Sequence, residues 1–227
     1  MLFHSAGCAS HRTELVRQIS GTMVGMNNKL QIPCTGFVLA GGKSSRMGAN
    51  KAFVDFQGQT LLARALSTLS AVCECVTIVG DADTFSSFGP VVADLFPGCG
   101  PLGGIHAALA NSSAELNLML AVDMPFVTTR LLNFLLRMAE AADSLVTVPQ
   151  TSRGFQPLCA IYRRKFVEVA EQALKGGNYK IDATFATVSV RIVEESELSA
   201  AGFFEKDFFN INTPEDCRAA QSLDCQA

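Results

Sequence analysis

Residues 36-GFVLAGGKSSRMGANK-51 decide how this chain reads. An apolar run that suits a buried strand, 36–41, opens without a break into glycines, serines and the cations Lys43, Arg46 and Lys51. Gly41 and Gly42 allow positive φ and let another group approach the backbone closely. Successive N–H groups in such a turn form an anion-binding concavity, and arginine grips phosphate with paired hydrogen bonds. Neither GxxxxGK[ST] nor GxGxxG is present, so the stretch is neither a P-loop nor a dinucleotide fingerprint. A plain tight turn would account for the glycines alone. The cations crowded beside them point to a loop built around phosphate.

From this stretch outward, strand-like runs alternate with helix-period segments. The runs 36–41, 75–80, 118–122, 145–149 and 157–162 read as strands, with weaker ones at 90–92, 187–193 and 207–210. Between them, 60-TLLARALSTLS-70 places Leu61, Leu62, Ala65, Leu66 and Leu69 on one helix face behind a capping Thr60. The segments 129-TRLLNFLLRMAEAA-142 and 163-RRKFVEVAEQALKGG-177 show the same period, and 213-TPEDCRAAQSL-223 starts with a capping Thr213 and Pro214. Strands alternating with helices of this length predict an α/β fold: a mostly parallel sheet with helices on both faces. Ligands then bind outside the carboxyl ends of the strands. Residues 34–227 read as a single domain. Residues 1–33 read as an extension, either disordered or upstream of a true start at Met26.

Net charge is −3 at pH 7, which gives no global basic field for nucleic acid and no polybasic membrane patch. No run approaches the roughly 20 apolar residues of a membrane span, so a cytoplasmic protein is expected. The eight cysteines form no CxxC, and the three histidines stand at no metal-ligand spacing. Reduced, mostly buried thiols and no zinc site are expected.

The remaining strand ends carry the other candidates. In 94-DLFPGCGPLGGIHAAL-109 a glycine- and proline-rich turn opens a helix, a second place for an anion or a flat ring, with Asp94 at its start. As a turn or cap residue Asp94 would be ordinary. In 118-LMLAVDMPFVT-128 an apolar run ends in Asp123, whose carboxylate is costly there unless bound. A hard cation such as Mg2+ suits it, because Mg2+ takes one or two carboxylates and keeps phosphate oxygens as further ligands. In 208-FFNINTPED-216 Asn210 and Asn212 alternate with apolar residues, so both are expected on one face of a strand end, unless Asn212 merely turns the chain.

In this order and at these separations, LAGGKSSRMGANK, GPLGGI, VDMPF and FFNINTPED resemble the molybdenum cofactor guanylyltransferases over roughly residues 36–222. LAGG, where LAAG marks the cytidylyl branch, leans the resemblance toward guanylyl transfer. It implies a three-layer Rossmann-like fold of the nucleotide-diphospho-sugar transferase type. It implies an enzyme that joins GMP from GTP to the phosphate of molybdopterin and releases pyrophosphate, with Mg2+ as cofactor. It places the nucleotide against Leu39, Ala40, Gly41 and Gly42, with Lys43, Arg46 and Lys51 on the phosphates. Asp94 would contact the nucleotide, as would Asp81 or its neighbour Gly80. Asp123 would bind both metal and nucleotide. Lys51, Arg46 and Asp123 would be the catalytic set. The pterin side would use Asn210, Asn212, and Arg153 and Gln156 of 153-RGFQP-157. Molybdoenzyme chaperones would be partners, and the protein a monomer or weak homo-oligomer. The alternatives are a molybdopterin cytidylyltransferase, a sugar-1-phosphate nucleotidyltransferase, and a non-catalytic nucleotide-binding protein.

Overall fold

The computed structural model describes residues 32–41 and 50–224, by backbone alone at 223 and 224. The expected extension 1–33 lies outside them except for Ile32 and Pro33, as do Gly42, Lys43 and Arg46.

Among the described residues the main sheet uses eight strands. They are β1 (Cys34–Leu39), β4 (Cys75–Val79), β5 (Val91–Val92), β6 (Leu116–Ala121), β7 (Val146–Thr151), β8 (Gly154–Phe155), β9 (Cys159–Arg163) and β10 (Val190–Val193). A separate two-stranded ribbon pairs β2 (Asp55–Phe56) with β3 (Gln59–Thr60). The strand order is β10-β7-β9-β6-β1-β4-β5, with β8 on β7. Every pair is parallel except those of β9 with β6 and β7 and of β8 with β7. β6 is buried along its whole length, as a strand covered on both faces must be. Leu118 and Leu120 face one core cluster and Met119 the other.

Helices cover both faces. On one side pack α1 (Leu61–Ser70), α4 (Thr129–Glu140), α7 (Glu195–Ala200) and α8 (Pro214–Asp224). On the other pack α3 (Pro101–Ala110), α5 (Phe166–Lys175) and α6 (Ile181–Phe185). The short α2 (Ala82–Phe85) follows β4. The cap the sequence announces for α1 is present, with Thr60 Oγ1 accepting from Ala63 N at 3.2 Å, and α4 is capped by Thr128, whose Oγ1 accepts from Leu131 N at 3.3 Å. Leu131, Leu132, Leu135 and Leu136 of α4 are all buried, each stabilising by about 1.5–3 kcal/mol. At the far end of α4, Arg163 donates to Ala139 O at 3.2 Å and to Ala142 O and Ser144 O at 2.9 Å. A cation thereby satisfies carbonyls the helix leaves open.

The sheet departs from expectation in two places. β9 runs against its neighbours, a direction that apolar periodicity cannot report. The strand expected at 207–210 is absent. A 3-10 helix, Glu205–Phe208, stands there and runs into irregular chain. Its buried residues Phe208 and Ile211 are three apart, a helical spacing in place of a strand's two. The thiols also differ from expectation: Cys34, Cys73 and Cys159 are buried, but Cys75 is exposed and Cys99 and Cys217 are half-buried. No helix of the described residues is long and apolar enough to cross a membrane.

Candidate active site

The site begins with strand register. Leu39 of β1 stands opposite Ala121 of β6 and Val79 of β4, so three chains leave the sheet at one level. Val122 N donates to Leu39 O at 3.2 Å, Ala40 N to Val79 O at 3.0 Å, and Gly80 N to Val92 O at 3.0 Å. These bonds fix the backbone on which Ala40, Gly41, Gly80 and Asp123 are carried.

Lys51 enters from a 3-10 turn, Lys51–Phe53, whose cap Asn50 accepts from Ala52 N at 3.1 Å. Its ammonium is ion-paired with Asp123 Oδ2 and donates to Asn212 Oδ1 at 3.3 Å. The expected catalytic lysine and metal carboxylate are therefore in direct contact. Asp123 is only 7% exposed, and its Oδ1 is buried without a hydrogen-bond partner among the described residues. A buried carboxylate oxygen left open is costly, which makes this atom a candidate ligand position. Among the described residues no three His, Cys, Asp or Glu gather to cage a metal. The open carboxylate oxygen of Asp123 is a hard donor that would suit Mg2+, a cation that keeps most of its shell as water and phosphate oxygens.

The family model of the MobA-like NTP transferase domain matches residues 36–188. A probable molybdenum cofactor guanylyltransferase from Pelotomaculum thermopropionicum is 36% identical over 194 residues, 85% of this chain and 94% of that one. The molybdenum cofactor guanylyltransferase of Desulfosudis oleivorans is 36% identical over 83% of this chain and 94% of its own. The chain belongs to the molybdenum cofactor guanylyltransferase family. A solved structure of molybdopterin-guanine dinucleotide biosynthesis protein A from Archaeoglobus fulgidus has the same fold. It matches with a TM-score of 0.75 at 29% identity and covers 85% of this chain and 100% of that one.

In this guanylyltransferase-family chain the other expected residues divide. Leu39, Ala40 and Gly41 sit where β1 ends, beside the Lys51–Asp123 pair's strand. Gly41 does not use the positive φ expected of it, and a Cβ there would meet only Val79 O, at 3.8 Å. Nothing in the described residues requires a glycine at 41. Asp94 does take a turn role: Oδ1 accepts from Phe96 N at 2.8 Å. Its carboxylate also lies against the first turn of α3, because Gly103 has no side chain to displace it. Asp81 caps α2, its Oδ2 accepting from Thr84 N at 3.0 Å and from the Thr84 hydroxyl at 2.5 Å. Asp81 is exposed. Gly80 beside it is bare because the Phe85 ring packs there, 2.8 Å from where a Cβ would stand.

The expected pterin residues are each held by a different partner. Asn210 Nδ2 turns back on Phe208 O at 3.1 Å, while Asn212 reaches Lys51. The paired strand face expected of them is absent because no strand forms there. Arg153 Nε lies 3.1 Å from Glu205 Oε1, and the Ser152 hydroxyl bonds the same carboxylate. Gln156 Nε2 donates to Thr151 Oγ1 at 3.2 Å. Sequence reading missed Asn50 and Glu205. An Asn directly before Lys-Ala-Phe is a cap signal that could have found the first. The contact of Glu205 with residues 152–153 leaves no local trace.

Proposed function

We propose that the protein transfers GMP from GTP to the terminal phosphate of molybdopterin, forming the guanine dinucleotide and releasing pyrophosphate. The observation that carries this reading is the Lys51–Asp123 pair at the joined ends of β1 and β6, beside the uncommitted Gly41. Family membership supports it from outside the geometry.

In this reading a phosphate oxygen of molybdopterin attacks the α-phosphorus, and the bond from that phosphorus to the β-bridging oxygen breaks. The attacking phosphate is already ionised near neutral pH, so no side chain need remove a proton. Negative charge grows on the departing pyrophosphate, and positioned cations stabilise it. Lys51 shifts its ammonium from Asp123 to the phosphate oxygens. Lys43 and Arg46, from the same loop, take the β- and γ-phosphates. Asp123, released from the lysine, would be free to hold Mg2+ on its carboxylate. Mg2+ held there would neutralise phosphate charge and polarise the phosphorus. Gly41 lets the triphosphate lie against bare backbone, and Asp94 braces the α3 end of the cleft. Arg153 and Gln156 line the acceptor side. A cytoplasmic setting agrees with the free thiols.

The test is thermal stabilisation by GTP, CTP, ATP and UTP with Mg2+, followed by pyrophosphate release on adding molybdopterin. Selective stabilisation by GTP and molybdopterin-dependent release are expected. A response to CTP alone would move the chain to cytidylyl transfer, and silence toward every nucleotide would remove the reading.

A further inference from the structure

The resemblance assigns Asn212 to the pterin, and in the structure its side chain meets the expected catalytic lysine. Lys51 Nζ donates to Asn212 Oδ1 across 161 residues of sequence. The residue before it makes the companion bond: Ile211 N donates to Asp123 O at 2.8 Å. Two successive residues thus touch both members of the catalytic pair. Ile211 is fully buried in the core shared with α1, α4 and β6, so this contact is anchored. Asn212 is exposed, and its backbone is fixed another way. Asp216 Oδ2 accepts from Asn212 N and from Thr213 N, both at 2.9 Å, and Asp216 N donates to Thr213 Oγ1 at 3.1 Å. These bonds, led by the one from Asn212, hold the Asp216 carboxyl below its ordinary pKa, so it stays charged.

We propose that Asn212, braced by Asp216, is a positioning residue that sets the Lys51 ammonium for the nucleotide phosphates. The inference rests on the reading of the site as a GTP site. A lysine head on four rotatable carbons loses about 2 kcal/mol of rotamer freedom when fixed. A rigid acceptor beside it bears part of that loss before ligand arrives, which is how preorganised sites gain affinity. Asn212 has no charge to neutralise the ammonium, so it can guide Lys51 without retaining it. Asp123 holds the lysine more tightly but must give it up. The amide oxygen is the partner that Lys51 can keep while its remaining N–H groups turn to phosphate.

The experiment is calorimetric titration of GTP with Mg2+ present and pterin absent. Asn212→Ala is expected to weaken GTP binding about three- to tenfold, the loss of one charge-assisted bond. Asn212→Gln keeps a neutral amide oxygen acceptor and is expected to restore part of the affinity, whereas Asn212→Asp, whose charge would retain the ammonium, is not. Asn212→Ser gives the same weakening if the alanine variant melts early. GTP binding unchanged in Asn212→Ala, with the defect confined to the KM for molybdopterin, would overturn the inference in favour of a pterin contact. Equal weakening in the alanine and glutamine variants would overturn it in favour of a merely structural role. If wild-type protein binds no GTP, the GTP reading itself fails, and that outcome is distinct from either.

Discussion

Asp94 and Gly103 interlock: the two carboxylate oxygens of Asp94 lie 2.8 and 2.9 Å from the point a Gly103 Cβ would occupy. Phe96 O closes the same space at 3.1 Å, and it is backbone that cannot swing away. Gly103→Ala is therefore expected to destabilise by about 1–3 kcal/mol, read by urea denaturation. Because the methyl group displaces Asp94, GTP affinity should fall with it. Asp94→Ala in the same background should recover only part of the stability, because Phe96 O stays in place, and none of the affinity.

Lys51 and Asp123 are expected to matter to rate far more than to folding. Lys51→Ala and Asp123→Asn should each lower kcat by about 10²–10³-fold, measured as pyrophosphate release at saturating substrates, with a native circular dichroism spectrum. Wild-type turnover in folded Lys51→Ala would remove the lysine from the mechanism.

Gly41 offers the reverse of Gly103. Its φ lies outside the left-handed region and a Cβ there makes only ordinary contact. Gly41→Ala should leave stability within about 0.5 kcal/mol, or raise it slightly by restricting the unfolded chain. GTP binding should weaken at least tenfold nonetheless, since in the proposed reading the triphosphate lies against this bare backbone. Thermal melting and nucleotide titration of one preparation check both halves.

His106 gives the fold a pH dependence. It is buried, its Nδ1 lacks a hydrogen-bond partner among the described residues, and Phe96 packs edge-on against it at 5.0 Å. Burial holds its pKa below the ordinary value, against an upward pull from Glu171 and Asp94, and Lys175 adds to the lowering. The unfolded chain takes up a proton near pH 6.5 that the folded chain refuses, so stability is full above that pH and declines as pH falls below it. His106→Leu should flatten this limb, seen by urea denaturation on either side of pH 6.5.

The thiols should react in an order set by burial. Cys75 is exposed, whereas the Cys159 thiol is fully buried and pushed up to about 12. Only thiolate reacts, so a disulfide reagent should label Cys75 within the native protein and Cys159 only after unfolding. Peptide mass mapping reads the order. Early labelling of Cys159 would show that the β9 region opens readily.

What the sequence disclosed and what it withheld follow from the range of the interactions. The unbroken apolar run into Asp123 reads as a buried strand because both faces are covered, and both are. Thr60 announces α1 because a cap acts over three residues. The Lys51 contacts span 72 and 161 residues, and no local pattern contains them. The sense of β9 depends on its neighbours, which its own residues do not name. Asn210 and Asn212 mislead for a related reason: alternation with Phe209 and Ile211 suggests a strand, but the anchors in the fold are Phe208 and Ile211. A segment that only the surrounding core can shape yields its geometry to tertiary packing.

The bond from Ile211 N to Asp123 O has a consequence during synthesis. A ribosome delivers the glycine loop, the lysine and the aspartate long before residues 211–216 emerge. A chain stalled after β10 would hold the proposed nucleotide groups Lys51 and Asp123, yet would lack the Ile211 and Asn212 bonds that meet them. The arrangement is thus completed only when the last segment has been made.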